Sequence, residues 1–163
     1  MDVHDKQTRS YNMSQIKSQN TKPEEVVCKY LFSHGFRYRK NDKRYPGKPD
    51  IVLPKYKTVI FVNGCFWHKH EGCRYFVVPK SNTEFWMNKI SRNVERDADN
   101  ISKLSEMGWN VIVVWECELK KDKRENTLSS IIKNIEKHIS QLCINEESWC
   151  MRNHEEIDAQ KKI

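Results

Sequence analysis

Apolar positions along the chain fall into a few runs whose spacing predicts a mixed α/β layer fold. Residues 1–20 are polar, with Arg9, Lys17 and no apolar stripe, and read as an arm or short helix outside the core. Thr21-Lys22-Pro23-Glu24 matches a capping box, with Thr21 as N-cap and Glu24 at the third helical position. Pro23 is tolerated in a first turn. The helix it opens carries Val27, Tyr30 and Leu31 and stops near Gly35. Phe36 to Arg39 reads as a short strand. Tyr45-Pro46-Gly47-Lys48-Pro49 is a turn, and Asp50 to Leu53 follows as a strand. Pro54 to Lys57 reverses the chain into a second, more apolar strand, Thr58 to Val62, so the pair reads as a hairpin. Thr83 to about Met107 is the longest helical pattern, with Ile90, Val94, Ile101 and Leu104 on one face and Gly108 at its end. Asn110 to Trp115 is nearly continuous in apolar residues, which predicts a central strand. A final helix spans roughly Leu128 to Leu142. Helix, three strands, helix, strand, helix is the order of an α/β layer fold.

These elements divide the chain into an arm (1–20), one α/β domain (21–142) and a polar tail (143–163). At 163 residues the chain suits a single domain with a modest core. Lys and Arg number 29 against 22 acids, a net charge of +7, which favours a polyanionic partner. A merely solvated basic face would give the same balance. No apolar run is long enough to span a bilayer, so no membrane partner is expected. Met1 to Lys6 lacks the apolar core of a signal peptide. A cytoplasmic protein is expected, with its six cysteines reduced. Cys28, Cys143 and Cys150 have no ligand-like neighbours and read as ordinary thiols.

The chemistry concentrates in Gly64-Cys65-Phe66-Trp67-His68-Lys69-His70-Glu71-Gly72-Cys73. Cys65, His70 and Cys73 are ligand types suited to tetrahedral zinc, and a closed structural site needs a fourth. Cys117, just past the strand ending at Trp115, is the best candidate if that strand lies beside Thr58 to Val62. The alternative leaves His70 on the surface and the thiols as spectators. Asp50 opens a strand after a turn. It is either a turn carboxylate or the hard oxygen ligand that Mg²⁺ takes alongside phosphate and water. Asp97 falls on the apolar stripe of the long helix and therefore needs a specific partner. That partner is either a nearby Arg or His68, whose ring it would orient. Phe66, Trp67 and Trp86 read as core packing or as rings that stack on bases.

Six blocks together resemble the bacterial very short patch repair endonuclease family, Vsr. They are Asp2-Val3-His4-Asp5-Lys6, Pro46-Gly47-Lys48-Pro49-Asp50, Gly64-Cys65-Phe66-Trp67-His68, Thr83-Glu84-Phe85-Trp86, Asn93-Val94-Glu95-Arg96-Asp97 and Val114-Trp115-Glu116-Cys117. The match runs over about residues 2–120. The resemblance implies a restriction-endonuclease-like mixed β-sheet core flanked by helices, with a structural zinc loop. It implies a Mg²⁺-dependent nick 5′ to the T of a T:G mismatch left by 5-methylcytosine deamination.

Carried onto this chain, the resemblance makes Asp50 the Mg²⁺ carboxylate, helped by the Val62 backbone carbonyl. It makes His68, paired with Asp97, the water-activating group, and Glu24 the first-helix acid. Cys65, His70, Cys73 and Cys117 become the zinc ligands, and Phe66, Trp67 and Trp86 enter the duplex beside the mismatch. The implied partner is mismatched double-stranded DNA, contacted also by the N-terminal arm. Mismatch-repair proteins and a repair polymerase would follow, and the protein would act as a monomer at the bacterial nucleoid. One departure matters for catalysis: relatives usually carry His where this chain has Asn63, which can donate a hydrogen bond but cannot carry a proton. Two other readings remain open at this level. One is a zinc-stabilised DNA-binding module without catalysis. The other is a restriction-type endonuclease cutting both strands.

Overall fold

The computed structural model describes residues 5–145. The arm begins with a helix, α1 (Lys6–Ser14), whose N-cap Asp5 accepts a hydrogen bond from the Thr8 N–H at 2.6 Å. α2 (Lys22–Ser33) starts at the expected capping box: the Glu24 carboxylate accepts from the Thr21 N–H at 3.2 Å and from its hydroxyl at 2.7 Å. Four strands follow as β1 (Arg39–Lys40), β2 (Ile51–Leu53), β3 (Thr58–Asn63) and β4 (Asn110–Trp115). Two long helices, α3 (Thr83–Glu106) and α4 (Arg124–Asn145), complete the described elements.

The sheet has the order β1-β2-β3-β4. β2 and β3 form the expected antiparallel hairpin, with Val52 opposite Val59. β4 runs parallel to β3, with Val62 opposite Val114 and Asn63 opposite Trp115. Side chains alternate across this sheet, so each strand feeds two cores. Ile51, Leu53, Ile60, Ile112 and Val114 point to one face and pack with Val27 and Leu31 of α2 and Leu128, Ile131 and Ile135 of α4. Val52 and Val59 point to the other and meet Leu104 of α3, with Phe61 and Val111 beside them. The result is a three-layer sandwich, one sheet between helices.

The sequence expectation is corrected at four places. β4 is an edge strand of the described sheet, not a central one. Its apolar run reflects helices on both of its faces, not strands on both of its sides. The strand expected at Phe36 to Arg39 shrinks to Arg39–Lys40, because Phe36 turns into the core and packs edge-on against Tyr56 at 5.1 Å. Val94 is 36% exposed at the margin of the α3 stripe, whereas Ile90 and Leu104 are fully buried. α4 extends beyond Leu128 and Leu142 at both ends and takes in the first residues assigned to the tail; Arg124 to Thr127 add a polar first turn, and Ile144 at the other end is exposed. The remainder of the tail, with Cys150, lies outside the described residues.

Candidate active site and metal centre

β3 and β4 run in the same direction, so their C-terminal ends deliver two loops to the same place. The Cys65 loop leaves β3, and Cys117 leaves β4. The parallel register therefore brings together residues 52 positions apart. The ligand atoms of Cys65, His70, Cys73 and Cys117 all lie within 4.8 Å of one another. His70 Nδ1 is 3.5 Å from Cys65 Sγ and 3.4 Å from Cys117 Sγ. Burial pushes the Cys65 thiol up to about 12 and raises Cys117 as well, while the Tyr75 backbone N–H holds Cys73 below its ordinary value. Three thiols this close ionise together only beside a cation, so the donor set fits a thiophilic metal such as zinc.

Two supports of this centre carry little signal in the sequence. The His70 ring stacks flat on Trp115, with centroids 4.1 Å apart and planes 3° from parallel. Glu116 accepts the Cys65 N–H at 3.1 Å. Both follow from the β3–β4 register, which one sequence does not print; their position directly before Cys117 is the one available hint.

Beside the metal cluster a cavity of about 680 Å³ opens among α2, β2, β3 and α3, and Glu24, Asp50, Val62, Asn63, His68 and Asp97 all line it. His68 Nδ1 lies 2.5 Å from Asp97 Oδ2, which joins the loop to the long helix as the sequence suggested. Each of these side chains is under a third exposed, at 29% and 28%. With Nδ1 donating to Asp97, Nε2 is left as the proton acceptor. Asp50 Oδ2 accepts the Val62 N–H at 2.7 Å, which fixes the carboxylate at the mouth of the hairpin. Burial pushes the Asp50 carboxyl up to about 6, the Val62 N–H opposes that rise, and the nearby Glu24 charge adds to it. Glu24 is 2% exposed, and besides its two bonds to Thr21 it accepts the Asn20 N–H at 2.8 Å. Its capping role and its place in the cavity are therefore compatible. Two carboxylates sharing a desolvated wall form a donor set that suits a hard divalent cation.

Phe66, Trp67 and Trp86 form one ring cluster, with centroids 5.1 Å (Phe66–Trp67), 5.5 Å (Phe66–Trp86) and 6.0 Å (Trp67–Trp86) apart. None of the three is fully buried, and Phe85 beside Trp86 is 58% exposed. The Lys89 ammonium sits 5.3 Å from the Trp67 ring and 5.5 Å from that of Trp86. Asn93 donates to the Trp67 carbonyl at 3.0 Å and accepts from Arg96 at 2.6 Å, tying the loop to α3. The sequence assigned no role to Lys89 or Asn93; both face the loop from one side of α3.

A family model described as DNA mismatch endonuclease Vsr matches residues 1–74. The chain is 59% identical over 119 residues to the type II nicking enzyme V.NmeAIP of Neisseria meningitidis, covering 73% of this chain and 84% of that one. It is 50% identical over 119 residues to the DNA mismatch endonuclease Vsr of Escherichia coli, covering 73% and 76%. It is 49% identical over 111 residues to the type II nicking enzyme V.XorIIP of Xanthomonas oryzae, covering 68% and 81%. These alignments extend well past residue 74 and leave room for the α3 and β4 residues that build the cavity and metal centre. On identity and coverage of this order, the chain belongs to the Vsr family of DNA mismatch endonucleases.

Proposed function

We propose that this protein is a strand-specific endonuclease that nicks DNA 5′ to the mismatched T of a T:G pair and so starts repair of deaminated 5-methylcytosine. The observation that carries it is the His68–Asp97 pair facing the Asp50 carboxylate across one cavity, with the ring cluster beside it. The three-layer sandwich with its mixed sheet supports a restriction-endonuclease-like core.

His68 Nε2 takes a proton from the attacking water, and Asp97 holds the ring in the tautomer that can do so. Asp50, with the Val62 backbone carbonyl, would hold Mg²⁺, and Glu24 shares that wall. Bound there, the ion supplies charge neutralisation at the phosphate and at the departing oxygen. Asn63, 8% exposed at the end of β3, is suited to donate a hydrogen bond to a phosphate oxygen and not to carry a proton. The Cys65, His70, Cys73 and Cys117 set would hold zinc and so fix the loop that carries His68, Phe66 and Trp67. Phe66, Trp67 and Trp86 enter the duplex, and a weak pair is selected because it costs less to unstack. Among the described residues no helix is long and apolar enough to cross a membrane. The proposed setting is a cytoplasmic monomer on the nucleoid, handing its nick to a repair polymerase and mismatch-repair proteins.

The test uses end-labelled duplexes that differ only in T:G against C:G at one position. With Mg²⁺ the wild type should cut one strand of the T:G duplex, 5′ to the T, and leave C:G intact. Asp50→Ala should bind the mismatch and fail to nick. Binding without any nick would favour the DNA-binding module, and cleavage of both strands of a paired site would favour the restriction-type reading.

A further inference from the structure

The turn before Asp50 has a backbone that a turn alone does not require. Gly47 and Lys48 have φ of +72° and +49°, the one consecutive left-handed pair among the described residues. Glycine adopts this region freely, whereas lysine, with its Cβ, does so at a cost. Lys57 and Lys69 also adopt it, in the hairpin turn and the metal loop, but neither lines the cavity. The surroundings hold Lys48 in place. Pro46 and Pro49 fix the chain on either side, and Pro49 is buried. The Lys48 N–H donates to the Tyr45 carbonyl at 3.0 Å. Gly47 lies so close to α3 that a Cβ there would come 2.9 Å from Asn100 Nδ2.

Such strain persists where the surrounding fold over-determines it, and it clusters at functional sites. Here it sits at a residue that lines the cavity wall with Glu24, Asp50 and Asp97, close enough for the Lys48 charge to act on the Asp50 carboxyl. Among the described residues the Lys48 ammonium makes no ion pair or hydrogen bond. The lining holds four acids, Glu24, Asp50, Asp97 and Glu116, with Lys17 and Arg96 as its other cations, and such a wall repels a phosphodiester unless positive charge is placed to receive it. An uncommitted ammonium carried on a constrained backbone meets that need.

We propose that Lys48 is a catalytic residue: it binds a non-bridging oxygen of the phosphodiester being cleaved and stabilises the charge that grows there in the transition state. This rests on the endonuclease reading above. In that step a water oxygen bonds to phosphorus and the bond from phosphorus to one sugar oxygen breaks. The water proton passes to His68, and the released oxygen takes a proton from solvent. Lys48 keeps its own protons throughout and acts by its charge.

The experiment compares Lys48→Gly and Lys48→Arg with the wild type in single-turnover nicking of the T:G duplex, in duplex affinity and in thermal unfolding. Glycine removes the charge while relieving the backbone, so Lys48→Gly should melt at or above the wild-type temperature. It should nick about 10²–10³-fold more slowly, as for loss of one preorganised charge-stabilising group, with affinity changed less than about tenfold. Lys48→Arg should recover to within about tenfold of wild type. Wild-type nicking by Lys48→Gly, Lys48→Arg as slow as Lys48→Gly, or a clearly lowered melting point for Lys48→Gly would each overturn the proposal while leaving the endonuclease reading intact. A wild type that binds the T:G duplex without nicking it overturns both.

Discussion

Asp50 carries the sharpest conflict between stability and chemistry in the molecule. Its carboxyl is pushed up to about 6 from 3.8, first by burial. An acid whose folded value is raised contributes stability below its unfolded value, and that contribution is lost as pH rises through about 6. At neutral pH the ionised Asp50 therefore works against folding, by at most about 2–3 kcal/mol at 1.36 kcal/mol per unit. Asp50→Asn should consequently melt higher than wild type at pH 7 in Mg²⁺-free buffer, with the gap closing below about pH 4. Added Mg²⁺ should raise the wild-type melting point and leave that of Asp50→Asn where it was. Equal melting points for the two proteins at pH 7 would mean that the carboxylate is already compensated within the chain. Asp50 was legible as a candidate because it follows a proline turn and opens a strand. Its cost is not legible, because that depends first on the burial the fold imposes and then on Glu24 arriving from α2.

α3 organises the site more than any other element. Along one side it presents Trp86 to the rings, Lys89 above them, Asn93 to the loop backbone, Asp97 to His68 and Asn100 to the Gly47 turn. The sequence disclosed the helix and the misplaced acid at Asp97, because a carboxylate on an apolar stripe is a local anomaly. Asn93 and Asn100 stayed hidden, since polar residues on a helix flank are ordinary until the partner loop is seen. The position of β4 escapes the sequence for a related reason: a continuous apolar run reports two covered faces, not hydrogen-bonded edges. The ring cluster gives the prediction that belongs at this scale. A base stacked on an aromatic side chain contributes about 1–3 kcal/mol. Trp67→Ala and Trp86→Ala should therefore each reduce the ratio of T:G to C:G affinity about tenfold, measured at one salt concentration with metal content verified. Affinity for fully paired DNA should change less, since it depends mainly on phosphate contacts. An unchanged ratio in both variants would reassign the rings to packing.

Across the whole molecule, two assemblies meet at the C-terminal ends of β3 and β4. One is the sheet with its helices, where Val27, Leu31, Ile51, Leu53, Ile60 and Ile135 are all fully or almost fully buried. The other is the metal cluster, of which only Cys65 is buried. The four candidate ligands are legible as a set because three sit in one short loop and the fourth follows from setting two strands side by side. Small zinc domains owe their fold to the ion. This chain has its own core and should not. What the cluster does control is the segment from Cys65 to Cys73, which carries Phe66, Trp67 and His68. Cys117→Ser should therefore lose its zinc and melt at a lower temperature, yet keep its helical circular dichroism at 25 °C. Nicking and T:G preference should disappear together, because a single loop positions the proposed general base, His68, and two of the rings. Global unfolding of the metal-free variant would mean that the ion organises the core as well. Full nicking without metal would mean that the Asn93 bond to Trp67, the His68–Asp97 pair and the His70–Trp115 stack hold the loop unaided.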